Sequence, residues 1–214
     1  MKIIEASLLA VSNKYFEFHK TIKSLIKNKI NHIHYDVMDN IFVPNVAFNG
    51  EHLKFLKRKG FKISIHLMVA NPKIYVENYI NKYKFDYLTF HCETISIENG
   101  IKLIKYIKEH NIKAGIAIKP NTDIRLYESV IKECDIITIM GVEPGFGGQK
   151  YIESTTDKIK KIKKMANKNT ILQIDGGVNL DVIKLLKNDI DMFVSGSFLI
   201  NNINKIEEIM NALN

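Results

Sequence analysis

Tryptophan is absent from this 214-residue chain and arginine nearly so: Arg58 and Arg125 stand alone, although the formal net charge is +8. Lysine therefore carries the positive charge. Surfaces that read nucleic acid lean on arginine forks and stacking aromatics, and no recognised binding motif occurs, so a nucleic-acid partner is not expected. The lysines are spread through helical stretches such as DKIKKIKKMANK (157–168), alternating with apolar residues at helical spacing. They read as solvated outer faces of helices, with a positive field that favours small anionic substrates. The two cysteines, Cys92 and Cys134, show no metal-ligand spacing and give no reason to expect a disulfide. No apolar run approaches the ~20 residues of a membrane span and no secretory signal opens the chain, so a cytoplasmic protein without a membrane partner is expected. Linkers and low-complexity segments are missing as well, which leaves residues 1–214 as a single domain.

What is present is an alternation. Short runs rich in Ile, Val and Phe lie near 3–8, 32–38, 61–68, 86–91, 113–118, 135–140, 170–175 and 190–195. Stretches of helical period separate them, as in Ile97, Ile101, Ile104 and Ile107, or Ile206, Ile209, Met210 and Leu213. Eight strand–helix units with a period of roughly 25–30 residues imply parallel strands with helices outside. In an open sheet, functional side chains would gather at one switch point; here they mark the C-terminal ends of many strands. The expected fold is α/β, a single-domain (β/α)8 TIM barrel with short loops.

The chemistry-bearing residues sit at those strand ends. His34 and Asp36, two apart in HIHYDVM, point to one face of a strand. His66 closes FKISIHLM, and Asp175 closes ILQID just before Gly176 and Gly177. Two imidazoles and two carboxylates can hold a divalent cation, and the aspartates can also carry protons, which suits chemistry on a carbon acid beside a carbonyl. MGVEPGFGGQ (140–149) follows the sixth strand; Gly145, Gly147 and Gly148 let main-chain N–H groups approach an anion. It is not a Walker A loop, because no Gly-Lys-Ser/Thr follows. With Gly176-Gly177 and Gly196-Ser197 after strands seven and eight, a frequent phosphate position in barrels, a phosphate-bearing substrate is expected. His19, His32, His52 and His110 read as solvent-exposed, and His91-Cys92-Glu93 as structural.

Together, ASLLA (6–10), HYDVMDNIFVPN (34–45), HLMV (66–69), MGVEPGFGGQ, DGGV (175–178) and VSGS (194–197) resemble the ribulose-phosphate 3-epimerase family over essentially the whole chain. The resemblance implies interconversion of D-ribulose 5-phosphate and D-xylulose 5-phosphate at C3, in the pentose phosphate pathway, through an enediolate stabilised by one divalent metal ion per subunit. It places the metal on His34, Asp36, His66 and Asp175, with Asp36 and Asp175 as the acid/base pair. Substrate contacts fall on Ser7, Met38, His66, Met68 and Met140, and phosphate contacts on Gly145, Gly147, Gly148, Gly177, Gly196 and Ser197. The donor set suits Zn²⁺ or Fe²⁺, with Mn²⁺ and Co²⁺ also compatible. A homo-oligomer acting on a small sugar phosphate is implied too. Two departures stand out: Asn40 where the family often has glycine, and Ala6 where it often has proline. A rival reading is an epimerase of a ketohexose 6-phosphate such as D-allulose 6-phosphate. A binding barrel without catalysis and a decarboxylase are disfavoured, the latter because no Asp-x-Lys-x-x-Asp motif occurs.

Overall fold

The aliphatic runs become strands because their β-branched side chains fit a pleated surface buried on both faces. A computed structural model describes residues 2–12 and 14–213. Its strands are β1 (Ile3–Ser7), β2 (His32–Met38), β3 (Lys62–Met68), β4 (Tyr87–His91), β5 (Lys113–Ile118), β6 (Ile136–Met140), β7 (Ile171–Asp175) and β8 (Met192–Ser195). They pair in parallel, in chain order, and β8 closes on β1 with Ile3 beside Met192 and Glu5 beside Val194. The helices are α1 (Tyr15–Lys27), α2 (Leu53–Arg58), α3 (Pro72–Lys82), α4 (Ile97–Glu109), α5 (Glu128–Ile131), α6 (Thr155–Met165), α7 (Leu180–Leu186), α8 (Ser197–Asn201) and α9 (Ile206–Leu213). The chain is thus a single (β/α)8 barrel, as its periodicity predicts, with strand ends within about two residues of expectation.

Helix α4 shows how sequence sets the outer layer. Ser96 caps it by accepting a hydrogen bond from the Asn99 N–H, and Leu103, Ile104 and Ile107 bury one stripe against the barrel. Each such side chain contributes about 1.5–3 kcal/mol when removed from water. In α6, Thr155, Ile159 and Ile162 face inward and most lysines face water. Lys158 is the exception. Its ammonium donates to the carbonyls of Lys119, Pro120 and Thr122, tying α6 to the loop after β5.

Alternate strand residues fill the barrel in layers. Ile3, Tyr87, Ile136, Ile171 and Met192 pack together at the N-terminal end. Above them lies a polar layer: Thr138 donates to Gln173, and Gln173 and Ser64 donate to the fully buried Glu5 carboxylate at 2.7 and 2.6 Å. The C-terminal layer carries the candidate site. Gly115 on β5 is required by close approach, since a Cβ there would lie 1.6 Å from the Ile136 carbonyl oxygen.

Three histidine expectations need correction. His32 is buried in β2, where its Nδ1 lies 2.8 Å from Asn31 Oδ1 and its Nε2 finds no partner. The alternation that turns His34 inward turns His32 inward as well, one layer lower. His19 and His52 are half-buried, because aromatic packing covers them: His52 stacks 4.2 Å from Phe18, and His19 sits between Tyr15 and Phe55. His110 is exposed as expected.

Candidate active site

The register of β2 on β3 sets Asp36 beside His66, and β6 on β7 sets Met140 beside Asp175. These pairings bring His34, Asp36, His66 and Asp175 together, with one donor atom of each lying within 4.8 Å of the others. His34 Nε2 is 3.2 Å from His66 Nδ1, 3.4 Å from Asp36 Oδ1 and 3.5 Å from Asp175 Oδ2. His66 Nδ1 is 3.3 Å from each of the same two oxygens. Four ligands placed ~2.0–2.1 Å around a zinc-like ion in a tetrahedron would stand about 3.3–3.4 Å apart. The donor set and its spacing fit a divalent cation.

The charges agree with that arrangement. Burial depresses the His34 imidazole, but the carboxylates of Asp36 and Asp175 outweigh it and hold the pKa well above the ordinary histidine value. His66 is also raised, because hydrogen bonds to Asp175 and Asp36 overcome its burial. Burial works against both carboxylates in turn, yet His34 holds them below their usual range. Such mutual dependence is what a cation would relieve: two buried imidazoles now answer two buried acids.

Above the cluster opens a cavity of about 1400 Å³ at the C-terminal mouth of the barrel. Asp36 and Asp175 line it from β2 and β7, while His34 and His66 lie fully buried beneath. His66, expected also to touch substrate, is not among the lining residues. Ser7 lines the cavity and donates to Asp36 Oδ2 at 2.9 Å, leaving Oδ1 to the cluster. Met38, Met68 and Met140 form apolar wall, the first two packed on Val43. Gly145, Gly147, Gly148, Gly177, Gly196 and Ser197 all line the same cavity. Among the described residues, the backbone N–H groups of Gly147, Gly148, Gly177 and Ser197 donate to no protein acceptor, which leaves them available to an anion. Asn45, in the loop after β2, donates to the Gly145 carbonyl at 2.6 Å and ties that loop to the glycine-rich one.

Against known proteins, the model of the "Ribulose-phosphate 3 epimerase family" matches residues 3–200. The chain belongs to the ribulose-phosphate 3-epimerase family. Ribulose-phosphate 3-epimerase of Buchnera aphidicola subsp. Baizongia pistaciae is 36% identical over 215 residues, covering 95% of this chain and 92% of that one. The Mycoplasma genitalium enzyme is 35% identical over 89% of this chain and 88% of its own. That of Bacillus subtilis is 33% identical over 91% of this chain and 88% of its own. These are isomerase-class enzymes. Among solved structures, a mutant tryptophan synthase alpha-subunit from Pyrococcus furiosus superposes with a TM-score of 0.71 at 14% identity, over 99% of this chain and 97% of that one. That likeness concerns the barrel alone.

Within the ribulose-phosphate 3-epimerase family pattern, Asn40 is accommodated as its chemistry allows: its φ is +59°, a left-handed turn that asparagine tolerates. Three groups beside the cluster were not legible as site residues. Glu5 Oε2 lies 3.3 Å from His34 Nδ1, and His91 Nε2 lies 3.1 Å from His66 Nε2. Glu93 Oε2 is 3.1 Å from His91 Nδ1. Burial pushes the His91 imidazole down to about 4, and it is neutral at ordinary pH. Burial opposes the charge of Glu93, but hydrogen bonds from His91, Thr122 and the Lys119 N–H bring it down to about 2. The clue in the sequence was the position of His91, at the C-terminal end of β4 and level with the other strand-end residues.

Proposed function

We infer that this chain is a metal-dependent epimerase that interconverts D-ribulose 5-phosphate and D-xylulose 5-phosphate at C3 by proton transfer between two carboxyl groups. Supporting this reading is one arrangement above all: Asp36 and Asp175 reach the same cavity from separate strands, over a buried pair of histidines. Inversion at a carbon needs a proton removed from one face and another delivered to the opposite face. Two carboxyl groups achieve this without turning the substrate over.

Their surroundings divide the roles. Ser7 donates to Asp36 Oδ2 and favours the ionised form, so Asp36 rests as base. Asp175 accepts from no such hydroxyl, and its side chain is more open to the cavity, so of the two it is the freer to take up a proton and deliver it to the substrate. Each turnover passes one proton in at one aspartate and out at the other, and the reverse reaction starts from the exchanged pair. His34, Asp36, His66 and Asp175 would hold a divalent ion, Zn²⁺ or Fe²⁺ by donor type, which when bound supplies Lewis-acid stabilisation to the developing enediolate charge. Met38, Met68 and Met140 keep water from the reacting carbons with a polarisable surface. The free N–H groups of Gly147, Gly148, Gly177 and Ser197 take the phosphate and fix the sugar's register in the cavity.

The test follows one substitution. Asp175→Asn should fold, yet lower turnover of ribulose 5-phosphate by about 10²–10⁴-fold, the range for a lost general acid/base. Wild-type protein should exchange solvent deuterium into C3 and prefer the pentulose over allulose 6-phosphate. Near wild-type turnover of the Asp175→Asn protein would sink the two-carboxyl scheme, and preference for the hexulose would overturn the substrate.

A further inference from the structure

His91 and Glu93 lie outside the cavity and outside the four-residue cluster, yet the hydrogen-bond geometry connects them to it in one direction only. If His66 offers the lone pair of Nδ1 to a cation, its proton resides on Nε2. That N–H has one neighbour, His91 Nε2 at 3.1 Å, which must then accept. His91 consequently carries its own proton on Nδ1, and this N–H points at Glu93 Oε2, 3.1 Å away. Glu93 closes the chain: its Oε1 accepts from the Lys119 N–H at 2.8 Å and from the Thr122 hydroxyl. The His91 ring lies beside both His66 and Phe42, with centroids at 5.1 and 4.6 Å, and the Lys119 ammonium sits over the Phe42 ring, 4.1 Å from its centroid.

On the other histidine, Glu5 plays the same part without an intermediary. His34 presents Nε2 to the cluster, and its Nδ1 faces Glu5 Oε2 at 3.3 Å. Ser64 and Gln173 donate to the same carboxylate, so Glu5 has only the His34 N–H left to complete its shell. Each histidine in the cluster is therefore backed by its own acid, His34 directly by the buried Glu5 and His66 through a second imidazole by the half-buried Glu93.

We propose that Glu5 and the His91–Glu93 pair are positioning residues that fix the tautomers of His34 and His66, so that Nε2 of the former and Nδ1 of the latter are presented to a divalent cation. The inference rests on the reading of the cluster as a metal site. When a cation takes the place of one proton, an imidazole without such a partner could keep its remaining proton on the ligating nitrogen. Removing such an outer partner typically weakens metal binding 10–100-fold.

The experiment uses Zn²⁺ alone, with no sugar phosphate, on the intact chain. Zn²⁺ affinity is measured by chelator competition, and histidine tautomers by long-range ¹H–¹⁵N correlation, for the wild type, His91→Phe, His91→Gln and Glu93→Gln. His91→Phe keeps the packing against Phe42 and removes the acceptor; it should lose about 10–100-fold in affinity and show a mixed His66 tautomer. His91→Gln, whose amide can accept from His66 and donate to Glu93, should recover most of the loss. Glu93→Gln should weaken binding less and shift the His91 tautomer. Unchanged affinity and an unchanged His66 tautomer in His91→Phe overturn the proposal; should that variant not fold, the same result in Glu93→Gln does so. Failure of the wild type to bind Zn²⁺ or any other divalent ion would remove the metal reading and this inference with it. Wild-type binding with indifferent variants removes this inference alone.

Discussion

The three glycines of PGFGG look alike as letters and differ as residues. Gly148 has a φ of +77°, where an L side chain is strained, whereas Gly147 has no such constraint and open space where a Cβ would stand. Gly147→Val should therefore leave the melting temperature essentially unchanged while raising KM for ribulose 5-phosphate by about tenfold or more, if its N–H holds phosphate. Gly148→Val should lower stability as well; an unchanged KM in the Gly147 variant would remove that residue from the phosphate site. The His34 imidazole makes a second prediction at this scale. Its pKa in the ion-free fold lies above the unfolded value of about 6.5, so its contribution to stability is complete below that pH and is lost as pH rises through the folded value. Asp36 has the opposite sign: depressed in the fold, it loses its contribution as pH falls below about 4. Chelator-treated protein should therefore be most stable between those limits and soften toward alkaline pH. Zn²⁺ uptake near neutrality should release protons and strengthen as pH rises. Melting curves across pH 5–9 and calorimetry in buffers of different ionisation enthalpy would check both; uptake without proton release contradicts the charged-histidine account.

At the scale of elements, the strands were legible because each βα unit repeats one pattern, an aliphatic run followed by an amphipathic helix. The four cluster residues were legible because they end strands beside glycine turns or share a face two apart. Depth inside the barrel was not. Whether His32 or His91 reaches solvent depends on the stagger of neighbouring strands, and a single strand's alternation says which way a side chain points but not what stands above it. The partnership of Glu5 with Ser64, Gln173 and His34 spans four strands and leaves no local trace. Gly115 belongs here as well. A Cβ placed 1.6 Å from the Ile136 carbonyl oxygen forces β5 and β6 apart, so Gly115→Ala should cost several times the ~1 kcal/mol of an ordinary strand substitution. Denaturant melts would show it; a stability within about 0.5 kcal/mol of wild type, the scale of a neutral surface change, would mean that the sheet yields easily.

For the molecule as a whole, the excess of lysine over acid gives a formal charge of +8 and a sequence pI near 9.2. A dianionic sugar phosphate should be drawn in by that field, so kcat/KM should fall between low salt and ~0.5 M, where the Debye length is only about 4 Å, while kcat stays level. A salt-independent kcat/KM would confine the attraction to the backbone N–H groups of the mouth. The closed ring of strands has another consequence. Because β1 is hydrogen-bonded to both β2 and β8, and each remaining strand likewise has two neighbours, the native sheet offers no bare edge as a template for another chain. Copies of this protein can meet in the folded state only through helices and loops. Growth of a cross-β fibril would have to wait until the ring itself opens, which ties resistance to aggregation directly to the stability of the seam between the first strand and the last.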